Sequence, residues 1–173
     1  DTHARDSVVA TLSPEFATPA NIYSRTYLYT PFSGHLYRSV TNTKIMHRVL
    51  CTLWLSGIQR EQYDQYLAKR GDAVEKRYLY FYFQRGFGYP ARGLTPEYEA
   101  FMEQWRMSRG VIEEAGLPDY LVLTDRRVKG LQVRPREDVL EMRQRCGKIS
   151  IYRVIRDRIM TRLEAPEQDQ APP

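Results

Sequence analysis

Prolines at positions 14, 19 and 31 deny the first 33 residues a helix, and clear helical periodicity begins only after Asn42. This leader is nevertheless rich in large side chains: Phe16, Ile22, Tyr23, Tyr27, Leu28, Tyr29 and Phe32 are scattered through it. Disordered tails are poor in aromatics, because rings that find no partner gain nothing by order. Residues 1–33 therefore read as an extended arm whose rings lie on a surface, either the chain's own or a neighbour's. The opposite end, EAPEQDQAPP, carries no such anchors, so residues 164–173 read as a loose tail.

Between them, residues 34–163 read as a helical domain. Ile45, Met46, Val49, Leu50, Leu53 and Trp54 recur at helical spacing, and Gly57 stops the run. A second helix is expected from Gln59 to Arg70, ending at Gly71. Asp72 with Glu75 forms a capping box for a third, which leads into RYLYFYFQR. There Tyr78, Tyr80 and Tyr82 alternate with Leu79, Phe81 and Phe83, so a two-sided buried strand and a helix wrapped in rings both fit; the capping box favours the helix. GFGYPARG is a loop. Thr95-Pro96-Glu97 is a strong helix start, with Tyr98, Phe101, Met102, Trp105, Ile112 and Ala115 as the buried stripe and Gly116 and Pro118 as the end. A turn and a short extended segment follow, from Asp119 to Val133. Pro135, Glu137 and Asp138 then open a last helix reaching about Leu163, with Met142, Cys146, Ile149, Ile159, Met160 and Leu163 on one broad side. The fold class expected is mostly α: a small irregular helical domain with an extended N-terminal arm and a loose C-terminal tail.

Charge narrows the partners. The net charge is +5 with a pI near 9.2, and Arg outnumbers Lys 21 to 5. A guanidinium pairs bidentately with carboxylate or phosphate and tolerates partial burial better than an ammonium; codon usage in a GC-rich genome explains the bias equally well. On the last expected helix the arginines are not confined to one side, and Arg153 and Arg156 fall among the apolar positions. A surface helix of a lone domain separates the two classes. Mixing them suggests contacts on several sides with acidic or phosphate groups of neighbours, while stems lying over a core edge with heads in water account for it equally. No apolar run approaches the ~18 residues of a membrane span; the best, Ile45 to Ile58, carries His47 and Arg48. Cys51 and Cys146 are too few for a disulfide scaffold and suggest free thiols in a reducing compartment. A start at Asp1 fits a chain whose targeting peptide has been removed.

The residues nominate no reaction. His47 and Cys51 sit four apart on one helix face, yet two ligands do not make a metal site, and core packing is the simpler role. Neither a Gly-x-Ser-x-Gly elbow nor a cysteine-hydrolase pattern is present, and all three histidines lie within the first 47 residues. Glu113/Glu114 and Glu137/Asp138 suit solvated helix positions. Gly86-Phe87-Gly88-Tyr89-Pro90 matches neither the dinucleotide fingerprint nor the P-loop. No catalytic residue, metal or cofactor is expected. Arginines interleaved with rings in KRYLYFYFQRGFGYPARG do suit base stacking and phosphate pairing, which keeps nucleic acid as the alternative partner.

Leu36-Tyr37-Arg38 matches the tripeptide of the LYR-motif family of small helical mitochondrial proteins. That resemblance implies acyl carrier protein as a partner. In the family the tripeptide lies early in the first helix, whereas Gly34 and the poor helix formers Ser39 to Thr43 place it here in a turn ahead of the helix. LTDRRVKGLQV, Leu123 to Val133, with RQRCGKISIYRVI after it, resembles the third-helix region of a LYR-type accessory subunit of respiratory complex I. GLPDYL and VKGLQVRPREDVLEMRQR are similar to the small matrix-facing helical subunit of the cytochrome bc1 complex. Neither resemblance reaches residues 1–90. Both imply a non-catalytic accessory subunit on the matrix side of a mitochondrial inner-membrane complex, a respiratory complex or ATP synthase, that braces its neighbours. The expected contacts to other subunits are Tyr27, Tyr29, Phe32, Leu36, Tyr37, Arg38, Tyr80, Phe81, Tyr82, Trp105, Arg153 and Arg156, with phospholipid headgroups as further partners of the arginines. The alternative is a mitochondrial ribosomal protein that binds rRNA through its arginine and aromatic segments.

Overall fold

Val8–Thr11 and Tyr120–Thr124 are short runs of β-formers more than a hundred residues apart, and in the computed structural model they lie side by side. The structure describes residues 7–12, 27–29, 42–69, 105–124 and 132–164. Within them the strands are β1 (Val8–Thr11), β2 (Tyr27–Leu28), β3 (Tyr120–Thr124), β4 (Leu140–Cys146) and β5 (Ile149–Val154). They form one five-stranded sheet in the order β2-β1-β3-β5-β4. β1 runs parallel to β2 and β3, whereas β5 runs antiparallel to both β3 and β4. The helices are α1 (Asn42–Leu55), α2 (Arg60–Lys69), α3 (Arg109–Ala115) and α4 (Arg156–Glu164).

The chain is therefore an α/β fold, and the expectation of a mostly α domain is corrected. Two segments account for the difference. In the supposed arm, residues 7–12 and 27–29 are built into the sheet, with Tyr27 and Tyr29 amides donating to the Ser7 and Val9 carbonyls at 2.9 and 2.8 Å. The supposed last helix divides into the β4–β5 hairpin and α4. Gly147, at φ +57°, opens the two-residue connection between the paired Cys146 and Ile149, the position where hairpins favour glycine. The β-branched residues Ile149, Ile151 and Val154 then favour a strand over the helical spacing of the same segment. Helix α3 is also shorter than its start signal at Thr95 suggests. Residues 105–108 are not helical, and Ser108 caps α3 by accepting from the Val111 amide.

One face of the sheet makes the core. Ala10, Leu121, Leu123, Leu140, Tyr152 and Val154 pack against Leu50, Leu53 and Leu55 of α1, Val111, Ile112 and Ala115 of α3, and Ile159 of α4. α1 and α2 fall where periodicity places them, and the stop at Gly57 is enforced by a close approach. Arg134 and Arg136 amides donate to the Ser56 and Leu55 carbonyls at 3.0 and 3.1 Å, while Arg136 Nε donates to the Trp54 carbonyl at 3.0 Å. A distant segment thus satisfies the orphan carbonyls at the end of α1. The Arg136 guanidinium also lies 4.6 Å above the Trp54 ring. Burial lowers its pKa, the nearby Arg162 adds to that, and Asp138 opposes it.

Gly57 adopts φ +68°, and a Cβ there would lie 1.8 Å from the Arg134 carbonyl oxygen. At Gly147 the conformation is similar, but a Cβ would meet nothing within 4 Å. Gly147→Ala should cost about 1 kcal/mol, the left-handed penalty alone. Gly57→Ala should cost about 3 kcal/mol or more, because backbone must move as well. Urea unfolding of the two variants checks the contrast.

Candidate functional site: an arginine-bearing cleft

Because β5 runs against β1 and β3, its C-terminal end lies beside their N-terminal ends. Asp119 locks this corner. Its amide donates to the Val8 carbonyl at 2.8 Å, its carbonyl accepts from the Val154 amide at 2.9 Å, and its Oδ2 accepts from the Val8 amide at 2.7 Å. A cleft of about 280 Å³ opens at the corner, lined by Ser7, the stretch from Leu117 to Tyr120, Arg153, Val154 and Arg156. Arg153 stands on β5 opposite Tyr120 and Glu141, and Arg156 is the first residue of α4. Both are exposed, and among the described residues neither has a carboxylate within ion-pair distance. Two guanidinium groups and the positive end of a helix dipole favour an anion here, while the Asp119 carboxylate is already engaged by the backbone.

The structure thus brings together two of the expected contact residues, Arg153 and Arg156. It separates others. Tyr27, 62 % exposed, sits on the short edge strand β2. Tyr29 is 1 % exposed and lies in the chain's own core. Trp105 is half-buried, its ring 5.1 Å from that of Tyr63. Phe32, Leu36, Tyr37, Arg38, Tyr80, Phe81 and Tyr82 lie outside the described residues, as does all of 78–93, whose conformation the sequence leaves open. The sequence marks Asp119 only as a turn residue; the signal for more is its place between Pro118 and an unbroken apolar strand.

The groups with nucleophilic potential are held elsewhere. The Tyr29 hydroxyl donates to the Gly116 carbonyl at 2.7 Å, and its ring lies 5.2 Å from the Arg48 guanidinium. Arg48 donates to the Ala115 and Tyr29 carbonyls, at 3.3 Å each. Burial raises the Tyr29 pKa well above the usual phenol range, the neighbouring Cys51 adds to this, and Arg48 opposes it. Burial also pushes the Cys51 thiol up to about 12, against a smaller opposing effect of its hydrogen bond with Tyr29. A thiol kept protonated is not a nucleophile at neutral pH. His47, on the same helix, places Nδ1 3.1 Å from Glu114 Oε2, out of line for a hydrogen bond. Glu113 pairs with Arg109 at 2.9 Å. Among the described residues no three His, Cys, Asp or Glu side chains gather as a metal site, and no helix is long and apolar enough to cross a membrane.

The two thiols should behave as opposites. Exposed Cys146 should react with a disulfide reagent at once at pH 8, and buried Cys51 only as fast as the chain unfolds. The folded state keeps the Cys51 proton to about pH 12, whereas the unfolded thiol loses it near 9. Its stabilising contribution is therefore complete below pH 9 and disappears as pH rises towards 12. Denaturant titrations across that window should show stability falling, with Cys51→Ala removing about 1.4 kcal/mol per pH unit of the slope.

Comparison of the chain with protein-family models, with curated proteins and with solved structures finds no match.

Proposed function

We propose that this chain is a non-catalytic structural subunit of a large assembly, and that the Arg153–Arg156 cleft receives an acidic group of a neighbouring subunit. The observation carrying this reading is the convergence of two exposed guanidinium groups and a helix N-terminus on one corner of the sheet. Such a corner suits a carboxylate or a phosphate. The sequestration of Cys51 and Tyr29 in the core supports the non-catalytic part.

The setting we propose is the matrix side of the mitochondrial inner membrane, in a respiratory chain complex or ATP synthase. This rests on sequence alone, on the two free cysteines and the resemblance of residues 123–155 to accessory subunits, of which the β4–β5 hairpin does not reproduce the helix. Docking of acyl carrier protein would involve Leu36, Tyr37 and Arg38, and the ribosomal alternative would draw on residues 76–93. Both stretches lie outside the described residues, so no structural observation favours either.

Native-gel fractionation of mitochondria from the source cells, with mass spectrometry for this chain, tests the reading. The chain should comigrate with an inner-membrane complex, and Arg153→Gln with Arg156→Gln should shift it to the free-subunit region while leaving its circular dichroism unchanged. Migration of the wild-type chain as a free monomer would end the proposal, and cofractionation with ribosomal RNA would replace it with the alternative.

A further inference from the structure

The edge strand β4 and its turn carry a second cationic feature, which shares no residue with the cleft. From Met142 to Lys148 every residue is exposed, although a strand in a domain normally has one covered face. The stretch holds Arg143, Arg145 and Lys148 and no acid. Met142, 50 % exposed, is one of only two exposed large hydrophobic side chains among the described residues.

A bulge organises these side chains. Met142 pairs with Tyr152 and Gln144 with Ile151, so Arg143 is the extra residue on β4. In an unbroken strand Met142 and Gln144 would share a face. The bulge instead sets Arg145, opposite Ser150, on the face of Met142, opposite Tyr152. A thioether and a guanidinium thus emerge together at the sheet edge, with Arg143 beside them and Lys148 in the turn.

We propose that this edge of the hairpin is a contact for an anionic phospholipid surface. The cations would meet headgroup phosphates and Met142 would enter the interfacial layer, the pairing of charge with exposed apolar surface that peripheral membrane segments use. The composition favours lipid over nucleic acid: β4 has no ring on which a base could stack, and a solvent-exposed thioether contributes nothing to a phosphate backbone. Glu141, 3.2 Å from Arg143, offsets part of that charge. Arg145 and Lys148 lie toward the end of β5 opposite the cleft, and the two sites share no residue, so vesicle binding can fail while the assembly reading stands, and the reverse.

The test is cosedimentation of the 173-residue chain with vesicles of phosphatidylcholine alone or mixed with phosphatidylglycerol. Binding should require the anionic lipid and weaken with salt. Each cation near such a surface is worth about fivefold in partitioning, so R143Q/R145Q/K148Q should lose about a hundredfold. Met142→Ser should lose severalfold without changing the salt dependence. A control with the same change in net charge elsewhere, R109Q/R134Q/R158Q, should keep most of the binding. Absence of binding at low salt, equal loss in the control, or tighter binding to a single-stranded RNA at matched phosphate concentration would each overturn the proposal.

Discussion

The fold turns on Tyr29 and Arg48. Tyr29 follows β2, its amide holds β1 through the Val9 carbonyl, and its hydroxyl reaches the Gly116 carbonyl just beyond α3. Arg48, on α1, takes the Ala115 and Tyr29 carbonyls. The two side chains therefore join the N-terminal strands, the longest described helix and the exit of α3. They also do what the end of α3 requires: its last carbonyls have no intrahelical donors, and a cation and a hydroxyl are well suited to that negative end. A buried phenol and a half-buried guanidinium are costly when unsatisfied, so this junction tolerates no looser arrangement.

The same junction explains why the leader was legible in composition and not in structure. Its density of rings signalled that residues 1–33 must lie against something, and for Tyr29 that something is the chain's own core. Local pattern could not show which surface, since β1 pairs with β2 and with β3, the latter more than a hundred residues on. α1 and α2 were readable because their signals are local: helical spacing and a glycine stop. In the C-terminal third two periodicities competed. Met142, Cys146, Ile149 and Ile159 fit a helix, but a helix through Gly147 had to ignore both the glycine and the β-branched residues after it. Placed on strands, Met142 and Cys146 turn out to be exposed rather than core.

That correction also resolves the puzzle of the dispersed arginines. On one helix, Arg153 and Arg156 would interrupt an apolar stripe. In the structure they belong to different elements, one on β5 and one opening α4, and each leaves the core side without displacing it. Their convergence was not legible, because it depends on the reversal of β5 against β1 and β3. Only that reversal carries residues 153–156 to the corner held by Ser7 and Asp119.

A mixed sheet of this kind distributes charge in a way a parallel one would not. β5 has cations at both ends, Arg153 and Arg156 at the cleft and Lys148 at the turn, with Ser150 and Tyr152 buried between them. The buried middle is fixed by pairing to β3 and β4, so the two ends are held at a constant separation of about 17 Å. Two anionic partners bound at those ends would be spaced by the strand itself, without any moving part. Rigidity of this sort suits a brace, because the ordering cost of holding two contacts apart is met when the sheet forms and not again at binding.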